Sequence, residues 1–194
     1  IMNHLNSKYV VVHSYAALLI ERHLSLKEGK SARFSSKDLT NHYAKLFTSL
    51  FSVFSKSGSA ENHYSITAIM RICYIAKSNV AKYLSTIINA LTARLALICK
   101  NNKNPVFSHY LFESYACLIK YNPTAIDGFE NSLLKPFMTI LQKNVEEFYN
   151  YVFQLLSQML EVRRQTNATN LNAIYANLFP ILTKPDQWKN KDTV

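Results

Sequence analysis

His109 and Glu113 stand four residues apart, the spacing that puts two side chains on one face of a helix and that a pair of metal ligands would need. No third ligand lies near them in sequence, so the pair reads as a surface or groove hydrogen bond and no metal is expected. Glu146 and Glu147 are neighbouring carboxylates. On a helix they would point about 100° apart, which suits first-turn acids facing the helix dipole and not an acid/base pair. Cys73, Cys99 and Cys117 are odd in number, form no C-x-x-C pair and sit in helical apolar patterns, so they read as buried free thiols of a reducing compartment. His63-Tyr64 and His109-Tyr110 recur at matching positions and read as packing of a repeated unit. Asn167-Ala168-Thr169 matches a glycosylation sequon in its letters alone.

The motifs of common catalytic loops are missing. With 3 glycines in 194 residues, neither G-x-x-x-x-G-K-[ST] nor G-x-G-x-x-G occurs, and G-x-S-x-G, H-E-x-x-H and the EF-hand loop are absent too. No nucleophile, base and oxyanion donors assemble in the pattern, so no enzyme and no cofactor are expected. The formal charge of +10 comes from 22 Lys and Arg against 12 Asp and Glu. Lys27, Lys30, Arg33 and Lys37 cluster around a loop at 26–35, Lys100 and Lys103 flank a turn, and Arg163-Arg164 close a helix. Elsewhere the cations are scattered over polar faces and helix ends, where they meet the C-terminal dipole. A nucleic-acid binder would want a continuous basic stripe, which a solenoid could build only from successive helices. No apolar run reaches the length needed to cross a bilayer, and no signal-peptide layout opens the chain.

Helices must position whatever these residues do. Val80, Leu84, Ile87, Leu91, Leu95 and Ile98 recur at alternating steps of three and four, as do Leu39, Tyr43, Leu46, Leu50 and Val53. Phe148, Val152, Leu155, Leu156 and Met159 make a third stripe, and no alternating run competes as a strand. The pattern predicts helices over 9–24, 37–55 with Ser36 as N-cap, 61–77, 79–100, 105–121, 124–143, 147–164 and 171–184. Gly128 and Pro136 predict a bend or break in the sixth. The scarcity of glycine and proline excludes sandwiches and barrels, whose tight turns need both.

The helices pair, a longer one followed by a short turn and a second one. Second members recur at roughly 40–50 residues, the period of HEAT and armadillo repeats. Residues 134–144, with Pro136 and terminal Asn144, look like a HEAT first helix, and Val12-His13-Ser14-Tyr15-Ala16-Ala17 like the start of a second. The Asp and Arg of the usual ladder are replaced by Ser7 or Asn144 and by His13 or Asn150. One helix pair cannot bury both its apolar faces, so stacked pairs bury a continuous core between neighbours. The expected fold is an all-α HEAT-repeat solenoid of about four antiparallel helix pairs. Residues 1–194 read as one repeat segment cut from a longer solenoid, with no second domain and with uncapped end repeats that would self-associate.

Three strings carry a closer resemblance. They are Ser59-Ala60-Glu61-Asn62-His63-Tyr64-Ser65-Ile66-Thr67-Ala68-Ile69-Met70-Arg71, Asn104-Pro105-Val106-Phe107-Ser108-His109-Tyr110-Leu111-Phe112-Glu113, and Ile140-Leu141-Gln142-Lys143-Asn144-Val145-Glu146-Glu147-Phe148 with Tyr151-Val152-Phe153-Gln154. In this order, with residues 12–17 before them and Leu178-Phe179-Pro180, Pro185 and Trp188 after, they resemble the importin-α re-exporters, exportins of the importin-β (karyopherin) superfamily. The resemblance implies a central slice of a nuclear export receptor that shuttles through the nuclear pore, carrying importin-α to the cytoplasm in complex with Ran-GTP. It also implies that second helices line the concave face and that partners lie against their polar positions. The candidates there are His63, Arg71 and Lys77 on one helix, Glu113 and Lys120 on the next, and Arg163 and Arg164 on the last. Arg71 is a lone charge in an apolar helix and has a competing reading, that of holding neighbouring repeats together. Two other functions stay open on the residues alone: a HEAT scaffold of another complex, and a basic helical nucleic-acid module.

Overall fold

The computed structural model describes residues 1–165 together with Tyr175, Ala176 and Leu178. The rest of the expected helix 171–184, the sequon at Asn167 and Trp188 lie outside the described residues. The chain forms two compact units, Ile1–Tyr121 and Asn122–Val194.

The first unit opens with a 3-10 turn, Met2–Asn6, followed by α1, Val10–Leu24. A two-residue antiparallel ladder follows, β1 at Lys27–Glu28 and β2 at Ser31–Ala32, in the basic loop expected to lack structure. Gly29 supplies its left-handed turn residue, φ +63°. The helix expected over 37–55 divides into α2, Ser36–Leu39, and α3, Tyr43–Val53. The break has a local cause. The Ser36 carbonyl accepts from the Thr40 hydroxyl at 3.1 Å and the Tyr43 hydroxyl at 3.1 Å, and the backbone tightens, the His42 N–H donating to the Leu39 carbonyl at 2.8 Å. Side-chain donors thus compete with the helical ladder. The N-cap falls on Ser35, one residue before the expected Ser36. Its N–H donates to the Asp38 carboxylate at 2.7 Å, one half of a capping box, and this bond holds the Asp38 pKa below its ordinary value.

Next come α4, His63–Ala76, a 3-10 stretch at Lys77–Tyr83, α5, Leu84–Ile98, and α6, Pro105–Tyr121. The helix expected from residue 79 therefore begins in the 3-10 form. Lys77, at φ +53°, ends α4, and the Asn79 amide donates to the Ala76 carbonyl at 3.1 Å, so the turn between the helices satisfies the end of the first. Asn62 and Asn104 cap α4 and α6: each side-chain oxygen accepts a backbone N–H three residues on, from Ser65 at 3.0 Å and Phe107 at 3.2 Å.

Packing follows the pairing. The opening 3-10 turn backs α1, α3 backs α4, and α5 backs α6, while α4 lies between α1 and α6. This is a row of second helices with first helices behind it. The apolar stripes read from the sequence fill the space between: Leu46, Leu50, Ile69, Leu91, Leu95, Leu111 and Tyr115 are all buried. Between pairs, the polar turns replace the missing Asp–Arg ladder. His13, fully buried, bridges the Ser7 carbonyl at 3.0 Å and the Ser59 hydroxyl at 2.7 Å, and the Asn62 amide donates to the Ser14 hydroxyl at 2.6 Å. One pair on, the Asn104 amide donates to the Glu61 carbonyl at 3.2 Å, and the Lys103 N–H to the Glu61 carboxylate at 3.0 Å.

The second unit contains a 3-10 turn at Pro123–Ala125, α7 at Ile126–Gln142, a second turn at Glu146–Phe148, and α8 at Tyr149–Gln165, packed on α7. The expected break at Gly128 or Pro136 is not there: α7 runs through both. Proline removes one donor, but Phe129, Leu133, Phe137 and Ile140 are wholly buried along one face and hold the helix against that loss. Glu146 and Glu147 fall in the 3-10 turn that feeds α8, and the Asn144 side chain accepts from the Tyr149 hydroxyl at 2.9 Å. Among the described residues, no helix is long and apolar enough to cross a membrane.

Candidate interaction surface on the second helices

Side chains that face out between α1, α4 and α6 make a cleft of about 290 Å³. Leu18, Glu21 and Arg22 come from α1, His63, Tyr64 and Thr67 from α4, and Val106 and Tyr110 from α6. The floor is set by helix spacing and the walls by residues one turn apart, so the cleft exists because the three helices pack as a row. Tyr15 on α1 stacks on Tyr64 with ring centroids 6.4 Å apart and is still 59% exposed.

His63 begins α4, half-buried, with its ring 3.9 Å from that of Tyr64, and burial holds its pKa below the ordinary value. Arg71 reaches across from α4 to α1. Its Nε and Nη2 donate to Glu21 Oε1 at 3.3 and 3.2 Å, and the Ser25 hydroxyl donates to the same oxygen at 2.6 Å. The reading of Arg71 as a clasp between repeats therefore has a specific partner. We expect Arg71→Ala to lower the stability of the first unit by about 1.5 kcal/mol, the low end for a charge-assisted bond because the side chain is 31% exposed. Hydrogen exchange at α1 and α4 amides in the full-length chain measures this, and lost protection confined to that pair of helices would mark the role as structural.

Lys77 and Lys120 are exposed and flank one ring, each Nζ 5.6 Å from the centroid of Tyr121. Glu113 lies half-buried on α6 beside Cys117, whose thiol is pushed up by burial and then by this carboxylate, while Lys120 and Arg71 pull the other way. The first unit thus carries His63 and Arg71 on α4 and Glu113 and Lys120 on α6, whereas Lys77, expected on the same helix as His63, caps its end at positive φ. Arg163 and Arg164 belong to the second unit. Arg164 is exposed and pairs with Glu161 on its own helix at 2.9 Å. Arg163 is buried: its guanidinium donates to Glu130 and Asp127 on α7, and Tyr175 donates to Glu130 at 2.8 Å. Sequence reading missed Glu21, Arg22 and Glu130. The signal for Glu21 and Glu130 was an acid on an otherwise apolar helical face, which needs a cation on a neighbouring helix.

Of the cysteines, Cys73 is buried and its thiol pushed up by burial, whereas Cys99 and Cys117 are half-buried, more open than expected. Among the described residues no three His, Cys, Asp or Glu side chains are placed to hold a metal ion, and His109 sits edge-on to Tyr110, with ring centroids 5.0 Å apart.

Stacked antiparallel helix pairs, joined through their polar turns and presenting a row of second helices, define an all-α protein of the HEAT-repeat solenoid class. The chain belongs to the CAS/CSE family: the profile described as "CAS/CSE protein, C-terminus" matches residues 21–194. It is similar to Exportin-2 of Bos taurus (36% identical over 199 aligned positions), of Homo sapiens (35%) and of Drosophila melanogaster (36%). Each alignment covers 100% of this chain and 20% of the relative, so the chain spans about a fifth of the length of the proteins it matches.

Proposed function

We propose that this chain is a HEAT-repeat segment of a nuclear export receptor that returns importin-α to the cytoplasm with Ran-GTP, shuttling between nucleus and cytoplasm through the nuclear pore. Family membership over residues 21–194 carries the reading. The row of second helices supports it, because α4 carries His63 and Arg71, Lys77 follows its end, and α6 carries Glu113 and Lys120. In this reading the segment acts as elastic scaffold and partial contact surface. Repeats held by nearest-neighbour contacts open and close through small rotations, so Ran-GTP and cargo are linked through the state of the spring.

The test is capture of importin-α by the full-length chain, with Ran loaded with GTP or GDP. We expect capture that depends on GTP, and weak or no capture by residues 1–194 alone. Partner binding indifferent to the nucleotide would point to a HEAT scaffold of another kind. Tight GTP-dependent capture by the isolated segment would overturn its role as a spring with partial contacts.

A further inference from the structure

We infer that the cleft between α1, α4 and α6 receives an extended acidic segment of the cargo protein, with Arg22 as the residue that meets its carboxylates. This rests on the export-receptor reading and names the chemistry of one of its contact sites.

Charge complementarity is the first ground. Two charged side chains of α1 line the cleft, and two cations, Arg71 and Arg22, share the single carboxylate of Glu21. Glu21, 11% exposed, is satisfied on Oε1 by Arg71 and Ser25. Arg22, with 75% of its side chain exposed, stands 3.8 Å from Glu21 Oε2, a distance too long for a hydrogen bond. The Glu21 charge is already met by Arg71, so the cluster of Glu21, Arg71 and Arg22 carries a surplus positive charge at the mouth of the cleft. Lys77, just past the end of α4, and Lys120, in the last turn of α6, are exposed cations of the same unit.

The walls supply the second ground. Val106 is 50% exposed, and Tyr64 stacks on the more exposed Tyr15, so an apolar and aromatic strip crosses the row of helices. Packed helices lie about 8–10 Å apart and an extended chain rises about 3.3 Å per residue, so every third residue of a crossing segment meets a new helix. Apolar residues at that period would sit on the strip while acidic neighbours reach Arg22. A phosphate backbone fits less well, because the cleft lining holds one arginine and no lysine, not a row of cations.

The test uses the full-length chain carrying a photo-crosslinking amino acid at Val106. The probes are a short fluorescent peptide of Glu and Asp around one Phe, its Lys-for-acid counterpart, and a single-stranded oligonucleotide. We expect the acidic peptide to crosslink and the basic one not to. We expect Arg22→Glu to weaken acidic-peptide binding about tenfold and Arg22→Lys to preserve most of it. Equal binding of the two peptides, or binding unmoved by Arg22→Glu, overturns the inference, as does crosslinking of the oligonucleotide in preference to the acidic peptide. GTP-dependent importin-α capture by the wild-type chain is scored separately and decides the export-receptor reading by itself.

Discussion

Replacing Arg163 by alanine is expected to cost the second unit about 3–5 kcal/mol of stability, the largest loss from any charged residue described in it. Glu130 is 4% exposed and sits on α7 facing α8. Its carboxylate accepts from Arg163 Nε at 3.1 Å, from Arg163 Nη2, and from the Tyr175 hydroxyl at 2.8 Å. Without the guanidinium, a buried carboxylate keeps one neutral donor and either stays charged without compensation or takes up a proton. Both are costly. Asp127, which also accepts from Arg163, has 78% of its side chain exposed and returns to water cheaply. The combined change Arg163→Met, Glu130→Leu and Tyr175→Phe should recover most of the loss, because it removes both desolvation penalties without orphaning the buried Tyr175 hydroxyl. A repeat array does not unfold in one step, so the measurement is hydrogen exchange at α7 and α8 amides in the full-length chain. A loss under about 1 kcal/mol for Arg163→Ala would mean that the pair behaves as an exposed one.

Tyr175 adds a pH signature. Burial, then its bond to Glu130, raises its pKa above the ordinary 10.0. An acid whose folded pKa is raised contributes stability that is complete below the unfolded value and declines as pH climbs past it. Alkali above about pH 10 should therefore loosen the second unit, and Tyr175→Phe should flatten that dependence.

Helices were legible because their apolar stripes recur at 3.6 residues over long spans: α1 and α6 fall within one residue of their predicted ends. The breaks were less so. The division of α2 from α3 depends on which donor wins the Ser36 carbonyl, and the continuity of α7 across Pro136 depends on burial of Phe129, Leu133 and Phe137. The first turns on side-chain donors within the segment and the second on tertiary burial, and periodicity encodes neither. The same holds for the surface. His63, Arg71 and Glu113 could be placed on second helices from their spacing. The assignment of Arg71 to Glu21 and of Arg163 to Glu130 needed the helix partners, which lie 50 and 33 residues away in the chain. A cation on an apolar helical face carries the same one-letter signal whether it awaits a partner protein or a buried acid.

The second large effect is expected from Phe107→Ala, which should destabilise the joint between α3 and α6 by about 3–5 kcal/mol. Phe107 is fully buried near the start of α6. Its ring meets that of Phe54 edge to face, 5.4 Å between centroids, and Phe54 follows the last turn of α3. The Arg94 guanidinium, from α5, lies 5.9 Å from the centroid of the same Phe54 ring. One aromatic contact therefore ties three helices from two successive pairs. Truncation removes the buried ring and leaves a cavity whose walls belong to different pairs and cannot close without moving them. In a repeat array the cost is felt first at the nearest-neighbour term, so protection should fall in α3, α5 and α6 before α1. Hydrogen exchange on the full-length chain reads this order, and uniform loss across the first unit would show that its pairs unfold as one. Phe107→Leu fills much of the space but forfeits the edge-to-face geometry, so it should cost less than alanine yet more than its lost volume alone would give. If the segment works as a spring, this variant should also soften it. Ran-GTP-dependent capture of importin-α would then weaken although no residue of the cleft has changed, because ligand binding must now order a joint that was already ordered in the parent chain.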